Sequence, residues 1–565
     1  MQLLKSATTT VTGRLFLLSL CGFACLIAQS VQPAPEDAQS FDEVVDRAIN
    51  SEHILLSKLK GKQPIVETYI QQMKSDSDLG LVPEHDFYFL GKLDMTRGFV
   101  RESFLPTDSS LKRAPHFFTS LLSTEYHPLG FAYEIFIDAR DFDRAHYRFQ
   151  YVRREFLGDV RCVVMDVGPQ PNAGKGRFQG RIWVEDRDYN IVRFEGTYAP
   201  SPNREFVHFD SWRVNTGPGL WLPSNIYAED EQYGLILHTP PMRAQTRLWN
   251  YEPEKMRSEQ AFTNLTVDVP QGVRDESDAS SDNSPIEARR MWESQAEENM
   301  IDRLQQAGLL APPGEVDQVL DTVLNNLEVT NKISIDPPVR VRILLTTPLE
   351  SVAVNHTILI SRGLIDVLPD EACLAAVLAH ELSHILSGDS VNTRYAFADR
   401  LLFEDASTLK RVSIARTEQE ELAADAKAIE ILKNSPYKDD LRRVGLFLRM
   451  LSLRSNEVPH LIRPLLGNHL AQTGKDLRLS GLMELSPGLQ LRNTEEIAAL
   501  PLGSRVKMDP WSNQLRLMKS HNVRLLSAKE KLPFQITPFM LHLTREDSNA
   551  AGTSTTGPGV TSSPQ

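Results

Sequence analysis

Hydrophobic and polar residues alternate in two different ways along this chain of 565 residues. Between about residues 64 and 252, short apolar runs repeat with a period of two and are separated by turn residues at hairpin spacing. This pattern is typical of antiparallel strands. Predicted strands include residues 134–137, 162–167, 180–185 and 191–196. Residues 41–59 have helical spacing, so we expect a curved sheet or half-barrel wrapped on one long helix.

The second half of the chain has a helical pattern. Residues 285–307 and 315–327 carry apolar side chains at helical spacing and lead into short β-rich segments. Residues 271–285 are polar and lack periodicity, which predicts a flexible linker before these helices. The predicted fold class is therefore α+β, with an N-terminal antiparallel β-rich half-barrel and a mainly helical domain that contains a small β-sheet.

Composition shifts suggest six segments. They are a signal peptide (1–30), a β-rich domain (41–270), a flexible linker (271–289), a helical core (290–440), a C-terminal extension of that core (441–546) and a disordered tail (547–565). The tail is mostly Ser, Thr, Gly and Pro and has no apolar face. Within the extension, residues 502–511 are a candidate β-element.

The N-terminus has the pattern of an export signal. Lys5 and Arg14 precede an apolar stretch at 15–28, and Ala28, Gln29 and Ser30 form a cleavage site. The alternative is an uncleaved signal anchor, although the stretch is short for a bilayer span. We expect an exported protein of the periplasm or cell envelope, with any membrane association through this segment only.

Charge and cysteine usage exclude two classes of function. The net charge of −13 and the lack of a basic patch argue against a nucleic-acid partner. Without the signal, only Cys162 and Cys373 remain, and we expect both to be unpaired. Cys373 is expected to be a small buried hydrophobe on a helix, so a cysteine protease is not predicted.

The strongest chemical signal is H-E-x-x-H at residues 380–384. Asp370 can cap a helix before it and Gly388 can end that helix, so His380 and His384 lie on one face, about 6 Å apart along the axis. Two histidines so placed can hold one zinc ion, and Glu381 beside them can act as a general base. The alternative is that both histidines are ordinary buried residues.

A catalytic zinc ion needs a third protein ligand. Ser387 and Ser390 occupy the positions of the glycine and histidine in the extended motif of one zincin class, so that class is excluded. Thr417 opens a second helix that carries Glu421 and Asp425 one turn apart. This carboxylate pair suits a ligand and a group that orients it. The alternative for Glu421 is a solvated acidic helix start.

With both helices in view, the segment resembles the HtpX-like and CAAX-prenyl-endopeptidase class of zinc metallopeptidases, which are gluzincins of metallopeptidase family forty-eight. The resemblance covers about residues 290–440 and implies a zincin fold with one Zn²⁺ per chain. It implies that His380, His384 and Glu421 are zinc ligands, that Glu381 is the catalytic base, and that Asp425 orients a ligand. It also implies that an edge strand within 351–360 pairs with the substrate backbone.

The resemblance leaves one catalytic role unassigned. Members of this class often use a late histidine or arginine to stabilise the oxyanion. Here His460, Arg463, His469 and His521 are all candidates, and the residues alone do not choose between them. Members that span the membrane have hydrophobic helices around the core, whereas this chain has no long apolar run after its N-terminus.

The N-terminal region has a second resemblance. Residues 176–194, which read GRFQGRIWVEDRDYNIVRF, and the Trp-Leu-Pro at 221–223 are similar to the outer-membrane lipoprotein-sorting (LolA-like) β-fold. The resemblance implies a concave apolar surface for acyl chains or a partner. The alternative is a β-domain that only packs on the peptidase.

We therefore expect an exported zinc metalloendopeptidase that cleaves proteins, with misfolded envelope proteins or lipoproteins as candidate partners. Envelope quality control is implied by resemblance alone. One alternative is a chaperone-like zinc protein that binds unfolded or lipidated clients and would keep its function after Glu381→Gln. Another is a structural or latent zinc site closed by a fourth ligand, His460 or His469.

Overall fold

A computed structural model gives the fold of thirteen segments of the chain. The described residues are 40–76, 80–95, 100–104, 131–199, 207–230, 240–251, 285–391, 414, 416–462, 478–486, 506–508, 515–517 and 535–546. The predicted signal peptide and tail, and the predicted linker up to residue 284, lie outside them. No helix of the described segments is long and apolar enough to cross a bilayer.

The first half of the chain forms one helix and one large sheet. Helix α1 (Phe41–Leu59) begins at Ser40, whose hydroxyl accepts a hydrogen bond from Glu43 N at 3.2 Å. The strands are β1 (Ile65–Asp76), β2 (Gly80–Asp94), β3 (Val100–Ser103), β4 (Tyr147–Leu157), β5 (Val160–Pro169), β6 (Arg177–Glu185), β7 (Ile191–Ala199), β8 (His208–Gly217), β9 (Leu220–Asp230) and β10 (Met242–Trp249).

All pairings in this sheet are antiparallel, in the order β3-β2-β1-β10-β9-β8-β7-β6-β5-β4. The α+β prediction is confirmed. The prediction of a strand at 134–137 is wrong, because Ala132–Ile135 forms a 3-10 helix. A short apolar run cannot be assigned to strand or helix by periodicity alone.

The two faces of the sheet pack against different parts of the chain. Val44, Val45 and Ala48 of α1 pack on one face. The other face presents four tryptophans, Trp183, Trp212, Trp221 and Trp249, to a hydrophobic core that continues into the second half of the chain. Burial of aromatic side chains of this size contributes strongly to stability, so the sheet and the second half stabilise each other.

The second half is mainly helical, as predicted. Its elements are α2 (Pro285–Gln306), α3 (Glu315–Asn331), β11 (Arg340–Leu344), β12 (Ser351–Val354), β13 (Thr357–Ser361), α4 (Arg362–Val367), α5 (Glu371–Ser387), α6 (Glu418–Lys433), α7 (Leu441–Arg454), α8 (Pro459–Ile462), α9 (Ser480–Glu484), β14 (Val506–Met508) and β15 (Leu515–Leu517). Strand β13 lies at the centre of a three-stranded sheet, parallel to β11 and antiparallel to β12. Strand β12 is therefore an edge strand.

Polar residues also cross the junction between the two halves. Glu67 on β1 is buried and accepts hydrogen bonds from Tyr88 on β2, from Arg247 on β10, and from the backbone N–H and hydroxyl of Thr347, at 2.6 Å and 2.9 Å for the last two. Thr347 lies in the loop between β11 and β12. The large sheet is thus bonded to the loop that leads into the edge strand of the small one.

The C-terminal described segment, residues 535–546, is a strap that returns to the large sheet. Its apolar residues Phe539 and Leu543 are buried in the core that both halves share. Its backbone is held by the sheet, since Ile536 N donates to Gln71 at 2.9 Å and Asp159 N donates to Leu543 O at 2.8 Å. The strap therefore ties the end of the second half to the first.

Candidate active site

Helix α5 carries both predicted histidine ligands because its ends are fixed by local signals. The carboxylate of Asp370 accepts a hydrogen bond from Cys373 N at 2.9 Å, which begins the helix. Gly388 ends it in the left-handed conformation, with φ 71°, and its N–H bonds to the carbonyls of the last turn. His380 and His384 consequently lie on one face, and both are buried.

Helix α6 brings the third predicted ligand to this face. Thr417 caps α6, and its hydroxyl and backbone exchange hydrogen bonds with Glu420, as the sequence predicts. Glu421 is in the first turn of α6. One of its carboxylate oxygens lies 3.2 Å from His380 Nε2 and the other lies 3.5 Å from His384 Nε2. The two histidine Nε2 atoms are 3.2 Å apart.

The chemistry of these three donors fits a zinc ion. One ligand atom from each of His380, His384 and Glu421 lies within 4.8 Å of the others, and this is the one such group among the described residues. Imidazole nitrogens and a carboxylate oxygen are ligands that zinc prefers in catalytic sites. The Nδ1 atom of each imidazole, which faces away from this group, also lies next to a carboxylate, as is general for histidines that bind zinc.

Two carboxylates orient the histidines. His384 Nδ1 lies 2.8 Å from Asp389, which follows the helix cap. His380 Nδ1 lies 2.8 Å from Asp425, close enough for an ion pair although the angle is outside the hydrogen-bond range. The other oxygen of Asp425 accepts from Leu479 N at 2.7 Å. Asp425 therefore stands where the sequence predicts an orienting group, whereas Asp389 was not predicted.

The predicted base, Glu381, points to a different set of partners. Its carboxylate accepts a hydrogen bond from Ser351 Oγ at 2.6 Å and one from Arg478 at 3.1 Å. Burial alone would raise the pKa of Glu381, but the positive charge of Arg478 and the hydrogen bond from Ser351 help to hold that pKa below its usual value. Glu381 is therefore held as an anion beside the ligand group.

Arg478 is the main residue that sequence reasoning missed. Its guanidinium also donates to Glu421, from Nε at 2.9 Å, so it bridges the predicted base and a predicted ligand. Its carboxylate partners lie 57 and 97 residues away in the chain, and nothing in the local sequence distinguishes it from other basic residues. The next residue, Leu479, has a left-handed backbone with φ 57°, a strained conformation for leucine.

Arg478 also sets the charge state of its surroundings. Burial alone would raise the pKa of the Glu421 carboxyl, but the Arg478 charge and hydrogen bonds with both histidines hold it far below its usual range. Burial and the Arg478 charge lower the pKa of His380, whereas Asp425 and Glu421 outweigh them and leave it raised. The candidate site is thus a dense set of largely buried charges that compensate one another.

The structure separates His460 from this group of residues. His460 is the second residue of helix α8 and lies against the large sheet. Asp86 accepts a hydrogen bond from its backbone N–H at 3.0 Å and lies 2.9 Å from its Nδ1. The same aspartate accepts from Leu461 N, and the ring stacks on Phe87. The hypothesis that His460 closes the site as a fourth ligand is therefore wrong. Arg463, His469 and His521 lie outside the described residues.

The two cysteines among the described residues take no part in the site. Cys162 and Cys373 are both buried and unpaired. Burial raises the pKa of the Cys162 thiol to about 12 and raises the pKa of Cys373 well above its ordinary value. Neither thiol has the lowered pKa of a nucleophile.

Comparisons with known proteins give similarities of two kinds. The solved structures that are similar to part of this chain include a putative outer membrane lipoprotein-sorting protein domain from Vibrio parahaemolyticus (12% identity, 36% of this chain and 92% of that one, TM-score 0.22), a DUF1329 family protein from Desulfovibrio piger (11%, 37% and 91%, 0.20) and a LolA superfamily protein from Nitrosomonas europaea (11%, 38% and 93%, 0.18). TM-scores this low carry no argument about function. No curated protein matches the chain.

The peptidase resemblance has a direct match. Peptidase family M48 matches residues 351–423, a stretch that runs from strand β12 through His380, Glu381 and His384 to Glu421. The match covers the edge strand β12, helix α5 and the start of helix α6. The resemblance stated from the sequence is confirmed over this segment, and the match at residues 351–423 supports a metallopeptidase.

Proposed function

We propose that the protein is a zinc-dependent endopeptidase that hydrolyses peptide bonds of protein substrates. The observation that carries the proposal is the convergence of the buried His380 and His384 with Glu421, with Glu381 beside them, inside the segment that matches peptidase family M48. An ordinary buried histidine pair would not need a third ligand from a separate helix.

The residues of the candidate site would have separate roles in peptide hydrolysis. His380, His384 and Glu421 would hold the zinc ion, which when bound supplies a water of lowered pKa and a Lewis acid for the substrate carbonyl. Glu381 is placed to accept the proton of the attacking water and to pass it to the leaving amine. The hydroxyl of Ser351, 2.6 Å away, fixes the orientation of that carboxylate.

We place this activity in the cell envelope, in protein quality control. This part of the proposal is supported by the basic and apolar pattern at residues 5–28 and by the family resemblance. In the proposed role, the large sheet selects misfolded envelope proteins or lipoproteins for cleavage.

One observation favours a second candidate, a latent or chaperone-like zinc protein. The positive charge of Arg478 compensates the negative charge of Glu381, and the same guanidinium also bonds to Glu421. A protein in which this bridge persists would bind unfolded or lipidated clients without cleaving them.

Comparison of the parent chain with Glu381→Gln distinguishes the two. Zinc content is measured by atomic absorption and cleavage is measured on unfolded casein. The proposal predicts equal zinc in both proteins and cleavage by the parent alone. Zinc in both with cleavage in neither would support the latent protein, and a parent without zinc would contradict both.

A further inference from the structure

A partly open cavity of about 100 Å³ lies between the large sheet, the strap and the second half of the chain. One wall is the face of the sheet that carries Gln245 and Arg247, two residues apart on β10. The other walls come from the loop after β11, from helices α4 and α8, and from the strap. The apolar residues that line it are Leu349, Val367, Leu461, Ile536 and Phe539. None of the described lining residues belongs to the candidate active site.

One arginine in the cavity wall has a buried nitrogen without a hydrogen bond. Arg362, the first residue of α4, is 6% exposed, and its Nε has no hydrogen-bond partner among the described residues. Asp366 also lines the cavity, but its Oδ2 lies 3.8 Å from that nitrogen, too far for a hydrogen bond. Buried polar groups are nearly always hydrogen bonded, so Arg362 indicates an acceptor that the described chain does not supply.

A second arginine brings further donors to the same space. Arg247 donates hydrogen bonds to Glu67, Leu345 O and Thr347, and all three leave from one nitrogen, Nη2. These bonds use none of the donors on Nε and Nη1. Two guanidinium groups with unused N–H donors thus line one small cavity. The planar fork of a guanidinium matches both oxygens of a carboxylate.

Charge and volume limit what the cavity can hold. Glu67 and Asp366 already balance the charges of Arg247 and Arg362, which favours a ligand with one negative charge over a phosphate with two. An apolar cavity of about 150 Å³ holds a benzene ring, so about 100 Å³ corresponds to roughly four to six non-hydrogen atoms. This is the size of a carboxylate with a short aliphatic group.

The walls of the cavity are fixed by backbone hydrogen bonds. Leu349 N donates to Leu461 O at 2.7 Å, and Gly363 N donates to Thr346 O at 3.0 Å, so the loop after β11 is bonded to α8 and to α4. A Cβ atom at Gly363 would lie 1.8 Å from Thr347 O, so glycine is required for this close approach. The cavity is therefore preformed, as sites for small ligands usually are.

We propose that this cavity binds a carboxylate that carries a small aliphatic group, as at the C-terminal residue of a peptide or in a short organic acid. The carboxylate accepts hydrogen bonds from Arg362 and Arg247, and the aliphatic carbons pack on Val367, Leu461 and Ile536. The open side of the cavity gives the rest of a peptide chain a way out. Binding at this site goes beyond the proposed peptidase activity and does not require it.

Saturation-transfer NMR on the purified, zinc-loaded chain tests the proposal. The four probes are isobutyrate, isobutyramide, acetyl-trialanine with a free carboxylate, and the same peptide as its C-terminal amide. We expect Kd on the order of 1 mM for at least one acid, because ligands of this size bind weakly, and binding about tenfold weaker for its amide. A lower Kd for acetyl-trialanine than for isobutyrate would identify peptide C-termini as the ligand, and the reverse would identify short organic acids.

Variants with matched controls locate the bound acid. Arg362→Gln should raise the Kd of the acid about tenfold and remove the difference between acid and amide. Its control is Arg342→Gln, because Arg342 also has a buried Nε without a partner but donates to Ala311 O at 3.0 Å and does not line the cavity. Thr537→Phe fills the exposed rim of the cavity and should weaken binding, whereas Met540→Phe on the same strap, at an 84% exposed position outside the cavity, should not. Urea unfolding shows whether each variant is folded.

Three results would overturn the proposal: no binding of either acid, equal Kd for acid and amide, or an unchanged Kd in folded Arg362→Gln. The last would assign the bound acid to the zinc site, since carboxylates are also zinc ligands. If Arg362→Gln does not fold, the rim variants decide, and equal Kd in Thr537→Phe and Met540→Phe would contradict the site. None of these results depends on casein cleavage, so failure of this site and failure of the endopeptidase are distinguishable.

Discussion

Replacement of Glu67 by Gln tests whether the large sheet supports the candidate active site. Glu67 is 1% exposed and accepts hydrogen bonds from Arg247, Tyr88 and Thr347. Loss of its charge leaves Arg247 buried without its carboxylate, and breaking a buried ion pair in this way costs about 3–5 kcal/mol of unfolding free energy. The hydrogen bond to Thr347 N, which positions the loop before β12, becomes weaker by about 1 kcal/mol because its acceptor is no longer charged.

The chain contains a matched control for this change. Glu52 on α1 receives two hydrogen bonds from Arg213 on β8, at 2.6 Å and 2.7 Å, and both side chains are fully buried. This pair lies within the first half of the chain. We expect Glu52→Gln and Glu67→Gln to lower stability by similar amounts, because each removes the charge of one buried carboxylate that pairs with an arginine.

Activity should distinguish the two variants. Urea unfolding followed by tryptophan fluorescence gives stability, and cleavage of labelled casein well below both transitions gives kcat/KM. We expect Glu67→Gln to lower kcat/KM about fivefold to tenfold, because about 1 kcal/mol of loop positioning is lost, whereas Glu52→Gln changes it less than twofold. Equal loss of activity in both variants, or none in either, would refute a supporting role of the sheet.

Three further perturbations give defined outcomes. Asp425→Asn removes the charge beside His380 and should weaken zinc binding by about 10-fold to 100-fold, measured by competition with a chelating dye; unchanged affinity would show that Asp425 has no orienting role. Ser351→Ala should lower kcat about tenfold at equal zinc content, since Glu381 loses its hydroxyl donor, and full activity in this variant would contradict that role. Burial raises the pKa of Glu134 from 4.5 to about 7, so between these pH values the unfolded chain loses a proton that the folded chain keeps, and stability falls as pH rises. Glu134→Gln should therefore be more stable than the parent by up to about 3 kcal/mol above pH 7.5 and no more stable near pH 4, as measured by urea unfolding at both pH values.

The parts of the site that the sequence predicts are those fixed by neighbours in the chain. Asp370, Gly388 and Thr417 act on backbone groups within one turn, so the ends of helices α5 and α6 follow from local rules. His380 and His384 then share a face by helical geometry alone. The large sheet was predictable for a similar reason, because strand alternation and hairpin spacing are local patterns.

The parts that were missed depend on contacts between distant segments. Arg478 is recognisable only after helices α5 and α6 have packed, and the bond between Ser351 and Glu381 needs the small sheet in place. Asp389 is an intermediate case, since a carboxylate five residues after His384 and just beyond a helix cap could have been considered as its partner. The sequence leaves His460 open as a candidate ligand, because histidine is suited both to a metal ion and to a buried aspartate.

The strap at residues 535–546 has a consequence for the order in which the molecule folds. It bonds to β1 across 465 residues of sequence and to Asp159, in the turn before β5, across 383 residues. Contacts of such separation form late, because a long loop must close before they contribute. During synthesis, the apolar core beside the tryptophan-bearing face of the sheet is therefore completed only when the last described segment has been made.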